Sequence, residues 1–162
     1  MVVRLRPMAE REFQRWQEAS IRSYAAEHVR TGRWSEEEAI ERARKQFEEI
    51  LPNGLATEGQ HLYSIEETAR SETIGIIWVG VQDQGEGVQA FIYDLLIDEP
   101  FRHRGYGTEA LCALELIVAE LGANTIRLHV FGHNHAARAL YEKAGYVTTN
   151  IHMQKVLKYP NR

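Results

Sequence analysis

The chain is expected to fold as a mixed α/β or α+β sandwich, a sheet with helices packed on its faces. Three observations carry this expectation. Apolar residues recur at three- and four-residue spacing near the N-terminus and again after residue 105, the period of helices with one buried face. Between those stretches lie runs rich in β-branched and aromatic residues, the composition of strands. Glycine, proline and asparagine stand at the junctions, where the chain has to turn.

The elements follow in order. Residues 2–5 read as a short first strand. Residues 10–25 read as a helix with Phe13, Trp16, Ser20 and Tyr24 along one face. A second helix starts at Ser35, where Ser35 and Glu38 match a capping box and Glu36 and Glu37 occupy the acid-favouring first turn. Its apolar face is Ala39, Ala43, Phe47 and Ile50, and Pro52, Asn53 and Gly54 stop it. Residues 61–65, 73–81 and 89–97 read as strands, the last two joined through Gln84-Gly85-Glu86-Gly87 as an antiparallel hairpin. Ala110, Leu111, Leu114, Ile117, Val118 and Leu121 define an amphipathic helix ended by Gly122. Residues 125–131 read as a strand and 135–144 as a short helix ended by Gly145. Residues 146–157, with Ile151 and Met153 alternating, read as a final strand. The strand–helix–strand unit over 89–131 is expected to be a right-handed parallel crossover.

A chain of 162 residues suits one domain, here expected to span 1–162. At that length a fold buries roughly 70% of its unfolded surface, enough to need no metal or disulfide. Apolar residues at 44% and charged residues at 26% are the balance of a soluble globular protein. The net charge of −4 lacks the basic excess of a nucleic-acid binder and is compatible with a cationic substrate such as an amine. Cys112 is the lone cysteine, so no intrachain disulfide can form, which fits the cytoplasm. The N-terminus lacks the apolar run of a signal peptide, and no stretch reaches the ~20 apolar residues of a membrane span.

The most informative stretch is Arg102-His103-Arg104-Gly105-Tyr106-Gly107-Thr108, between a strand and a helix. Two closely spaced glycines let backbone turn tightly and approach a ligand, and the free N–H groups of a helix start attract an anion. Arg102 and Arg104 add positive charge, so a diphosphate suits the turn. It has no Gly-Lys-Ser/Thr ending of a triphosphate loop, and Ala110 stands where a dinucleotide fingerprint needs its third glycine.

Arg102-His103-Arg104-Gly105-Tyr106-Gly107 resembles the Q/R-x-x-G-x-G/A signature of the GNAT superfamily of acyl-CoA N-acyltransferases. Asn134, Ala137, Leu140, Tyr141, Lys143, Gly145 and Tyr146 are similar to a second block of that family, N-x-x-A-x-x-L-Y-x-K-x-G-F, with Tyr for the final Phe. Pro100 stands two residues before Arg102, where many members have proline three before. The resemblance implies a mostly antiparallel mixed sheet of six to seven strands flanked by about four helices. It also implies acetyl-CoA as acetyl donor and a primary amine as acceptor, attacked directly in a ternary complex. Backbone amides of His103, Arg104, Gly105, Tyr106, Gly107 and Thr108, next to Arg102, would hold the pyrophosphate. Leu96 and Ile97 would hydrogen-bond the pantetheine arm, one of their amides polarising the thioester carbonyl, where the strands over 89–97 and 125–131 splay apart. Asn134 would touch the pantetheine or cap the next helix.

Acetyl transfer needs a deprotonated amine, a polarised carbonyl and a proton for the thiolate. Tyr141 is the candidate acid, its phenol matching an alkyl thiol in pKa. Asp94 and His129 are both candidate bases, with a base acting through water as the alternative; histidine titrates near neutral pH. No H-E-x-x-H or paired-cysteine motif accompanies His129, His133 and His135, so no metal is expected. Cys112 is expected to be a small buried thiol. Trp16, Trp34 and Trp78 are expected in the core or its rim, and Trp34 is a candidate for lining an acceptor pocket. A small amine, an amino acid, an aminoglycoside-like molecule or a protein amine would serve as acceptor, and a homodimer is open. The competing readings are a non-catalytic acyl-CoA sensor on the same fold and a binder of some other phosphate ligand; Tyr141, Asp94 and the second motif favour the enzyme.

Overall fold

The computed structural model describes residues 2–158, which divide into two compact units with the boundary between His129 and Val130.

The first unit holds a five-stranded sheet in the order β1-β2-β3-β4-β5, built from Val3–Pro7, Gln60–Glu67, Glu72–Asp83, Val88–Ile97 and Ala123–Leu128. The first four strands are successively antiparallel and β5 runs parallel to β4, as the crossover through a helix requires. Helices α1, Glu10–Arg30, and α2, Glu36–Ile50, precede β2, and α3, Tyr106–Glu120, joins β4 to β5.

α1 runs five residues past the expected end, because no helix breaker intervenes before Gly32, whose φ is +74°. It buries Phe13, Trp16, Ile21 and Ala25, so the inward stripe leaves Tyr24 at the surface, with its hydroxyl donating to Gln46 Oε1 at 2.6 Å. At its start the Glu12 carboxylate accepts the Ala9 N–H at 2.8 Å. The expected Ser35–Glu38 capping box does not form. Ser35 takes the N-cap backbone conformation without a side-chain cap bond, and Glu38 lies 3.4 Å from Arg42 instead.

Phe13, Trp16, Met8 and Leu51 pack on Leu62 and Trp78 of the sheet, and Ile21 and Ala25 pack on Ala39 and Ala43 of α2. Strand alternation sends Ile65, Ile77 and Val79, all fully buried, to the opposite face. α3 packs on β1, β4 and β5, turning Ala110, Leu111, Leu114 and Val118 inward. Cys112 lies on the other side of that helix and is exposed, not buried as expected, because it is one residue, about 100°, round from Leu111. β1 is held in register by charge as well as by ladder bonds. Glu66, opposite Arg4, accepts from Arg4 Nε at 2.9 Å and Arg6 Nε at 3.1 Å, and Arg6 reaches Glu12 at 2.7 Å.

The second unit contains α4, His135–Lys143, with Gly145 after it at a φ of +95°. The expected final strand over 146–157 is absent. The described sheet therefore has five strands rather than six to seven. Alternation of Ile151 and Met153 satisfies the pleat, but a strand also needs a hydrogen-bonding neighbour, and residues 146–158 have no ladder; both side chains are exposed.

Candidate active site

β4 has two different halves. Val88–Ile92 lies between β3 and β5, each residue matched to a β5 residue from Ala123 to Leu128. Asp94–Ile97 continues against β3 only, matched to Trp78–Gly75, and β5 stops at Leu128, three residues before the expected end of that strand. The two parallel strands therefore separate at Tyr93. That residue is a β-bulge: Ile92 opposes Val79 and Asp94 opposes Trp78, so Tyr93 has no opposite number.

The free edge of Asp94–Ile97 has a definite polarity. Asp98 donates its N–H to Ile74 O at 2.8 Å, one step beyond the Ile97–Gly75 pair. In an antiparallel ladder this makes Leu96–Ile76 the hydrogen-bonded pair and turns the N–H groups of Leu95 and Ile97 the other way, toward the open edge. Of the expected pair Leu96 and Ile97, the Leu96 amide is thus engaged with β3, and it is the amides of Leu95 and Ile97 that face the open edge. The Leu96 side chain is exposed. A short helical turn, Glu99–Phe101, follows, and Arg102 folds back so that its Nε donates to Ile97 O at 2.8 Å.

The chain then enters α3 through two left-handed residues, His103 at φ +61° and Gly105 at φ +85°. A positive φ at a histidine is uncommon and marks a backbone shaped by its surroundings. At Gly105 a side chain would meet no atom within 4 Å, so the turn opens on space. Glu109 makes the first intrahelical bond, its N–H donating to Gly105 O at 3.2 Å. The amides of Tyr106, Gly107 and Thr108 precede it and have no acceptor within the helix. Arg104 stands 6.0 Å over the Phe101 ring. Among the described residues neither Arg102 nor Arg104 has a carboxylate within 4.0 Å, the limit for an ion pair. Free amides, a helix N-terminus and two uncompensated guanidiniums fit a diphosphate, and the open edge fits an extended, amide-bearing arm.

Asp94 sits at the head of that edge and shares a sheet face with Trp78, its ladder partner. Burial pushes its carboxyl above the ordinary value. The Trp16 indole N–H, 3.3 Å from Oδ2, and the Leu95 backbone N–H pull it partly back. A carboxylate raised in this way is a stronger base than an exposed one. His129 follows the last residue of β5 and is exposed.

In the second unit Asn134 occupies the N-cap of α4, its Oδ1 accepting the Ala137 N–H at 3.2 Å, the capping role among its two expected ones. Tyr141 lies on α4 with its ring edge-on to Tyr146, centroids 5.6 Å apart. Trp34 stacks on His28 at 4.0 Å, with Tyr24 edge-on at 5.7 Å, and so is packed between α1 and α2. Among the described residues no three or more His, Cys, Asp and Glu side chains gather as metal ligands. No described helix is long and apolar enough to cross a membrane.

Sequence reasoning missed Tyr93 and Trp16 beside Asp94; it placed Leu95 with Leu96 and Ile97 on the strand resembling the family's cofactor-contacting strand. Which of these amides face the open edge follows only from ladder parity, once the hairpin register is known. Nothing local marks the bulge at Tyr93 or the approach of Trp16, 78 residues away in sequence, to Asp94.

Comparisons with known proteins identify the family. The family model for the acetyltransferase (GNAT) family matches residues 12–146. The chain is 36% identical over 157 residues to the uncharacterized N-acetyltransferase YycN of Bacillus subtilis (strain 168), covering 97% of this chain and 100% of that protein. It is 35% identical to the uncharacterized N-acetyltransferase YdgE of the same organism, covering 97% of this chain and 99% of that one. The crystal structure of YycN from Bacillus subtilis superimposes with a TM-score of 0.85 at 35% identity, over 97% of this chain and 99% of that one. The chain is a member of the GNAT family of acetyltransferases.

Proposed function

We propose that the chain is an N-acetyltransferase that moves an acetyl group from acetyl-CoA to a primary amine by direct attack in a ternary complex. The observation that supports this most is the separation of β4 from β5 at Tyr93, which turns the Leu95 and Ile97 amides toward an open edge, the Leu95 N–H beside the Asp94 carboxylate, and leads into the cationic start of α3. Acetyl-CoA supplies an activated thioester. The amides of His103–Thr108, with Arg102 and Arg104, bind its diphosphate. Leu95 and Ile97 hold the pantetheine arm as an added strand would, and one of their amides stabilises the oxyanion. Asp94 accepts the proton of the incoming amine, with His129 as the other candidate base, and Tyr141 returns a proton to the departing thiolate. Residues 1–162 work as one domain, and the cytoplasm is the compartment we assign, on the lone cysteine.

The test is thermal unfolding with acetyl-CoA, plain CoA, ADP or buffer, followed by thiol release with a panel of primary amines. A ligand at ~100 times its Kd adds about 2.7 kcal/mol, a shift of several degrees. Stabilisation by both CoA forms and amine-dependent thiol release are expected. Tyr141→Phe should slow turnover and leave the acetyl-CoA shift in place. No shift with either CoA form would overturn the reading.

A further inference from the structure

Over the paired half of β4 the first unit carries a depression of about 390 Å³ that the proposed transfer chemistry leaves unused. Gly80 and Gln82 of β3, Phe91 and Tyr93 of β4 and Arg127 of β5 line it. Phe91 pairs with Gly80 on one side and Arg127 on the other, so the side chains of Phe91 and Arg127 share one face of the sheet, the face that Gly80 leaves open. Gly80 and Trp78 are two residues apart on β3, and Trp78 pairs with Asp94, so that face is also the face of Asp94.

The walls have a definite chemistry. Tyr93 stacks on Trp78 with centroids 4.5 Å apart and meets Phe91 edge-on at 4.9 Å, giving a rigid aromatic side. A Cβ on Gly80 would come within 2.9 Å of Tyr93 Cε2, so the glycine is what lets that ring lie over β3. Opposite stands Arg127, exposed and, among the described residues, with no carboxylate within 4.0 Å. Gln82, Gln84 and Gln89 supply neutral donors and acceptors around it, and no acidic side chain lines the depression. Arg127 faces Phe91 across one strand spacing. Asp94 lies about two strand rises farther along β4 once the bulge is discounted, so the two Cα atoms are ~8 Å apart.

The geometry points to an acceptor with two functional ends: a primary amine directed at Asp94 and an anionic group, carboxylate or phosphate, gripped by Arg127, with its body against the Phe91–Tyr93 wall. This inference rests on the acetyl-transfer reading above and names the acceptor class for that site. A guanidinium with no carboxylate partner among the described residues is the group suited to bind carboxylate or phosphate in a two-pronged contact.

The test uses matched amines that differ in the anionic group alone: an amino acid against its amide, and an amino sugar against its phosphate ester. Binding is measured by calorimetry in the presence of CoA, and turnover by thiol release. The anionic member of each pair should bind and react ten- to a hundredfold better, the span expected of a charged hydrogen-bonded contact. Arg127→Gln should collapse that ratio toward one while keeping the CoA-dependent thermal shift, which shows that the variant is folded. Preference for the carboxylate pair or for the phosphate pair identifies the source of the charge. Equal binding of anionic and neutral members, or a ratio that survives Arg127→Gln, overturns the proposal. Selective binding of the anionic amine without any turnover would instead leave the site standing and overturn the catalytic reading.

Discussion

The two halves of β4 are one continuous strand with opposite uses. Over Val88–Ile92 both edges are occupied by neighbouring strands, and Ala90 and Ile92 are buried. Over Asp94–Ile97 one edge is open, the carboxyl of Asp94 is shifted upward by burial, and Leu96 is exposed. Tyr93, the bulge between them, is where pairing with β5 stops. The difference teaches that a strand gains outward-facing donors by losing one neighbour while keeping the other: β3 holds the backbone in place, and the missing partner leaves the Leu95 and Ile97 amides facing an open edge.

That contrast can be broken by proline. Leu95→Pro and Ile97→Pro each remove an N–H that faces the open edge, so the ladder to β3 survives and kcat/KM should fall ~10²–10³-fold, the loss typical of an oxyanion donor. Leu96→Pro removes a ladder donor instead. It should cost stability, about 1–3 kcal/mol, read as a drop of several degrees in Tm. Equal loss of Tm for all three would refute the assignment of edges. In the paired half, Ile92→Ala should lower stability by about 2–5 kcal/mol through the cavity it leaves, with kcat per folded molecule little changed.

Smaller effects sharpen the role of Asp94. Asp94→Asn should remove the low-pH limb of the rate profile and slow turnover, about 10²-fold if a positioned base is lost. The sign for stability is fixed by the upward shift. The native state holds the Asp94 proton more tightly than the unfolded chain, so this group contributes stability below the ordinary aspartate value, and loses it as pH rises through the raised native value. The Asn variant should therefore show a flatter dependence of Tm on pH in that window. Trp16→Phe deletes an N–H that favours the ionised carboxylate, so the low-pH limb should move upward, the smallest of these effects. An unmoved limb would mean that Asp94 is not the group being titrated, and His129→Gln would then be the variant to profile.

What the sequence determined by itself is local. The turn Arg102–Thr108, the start of α4 at Asn134 and the β3–β4 hairpin were legible because a glycine, an asparagine cap or a two-residue alternation acts over a few residues and needs no distant partner. Where an expectation failed, a partner outside the window decided. Ser35 matched a capping pattern, yet Glu38 found Arg42. Cys112 lay among apolar neighbours, yet only the face that α3 presents to the sheet set its exposure. Residues 146–157 alternated as a strand should, yet a strand exists only beside another. The open edge at Leu95 and Ile97, the bulge at Tyr93, the contact of Trp16 with Asp94 and the depression beside Arg127 belong to the tertiary structure alone. Each depends on the register between strands or on a side chain from far along the chain, and neither is encoded in any one stretch of residues.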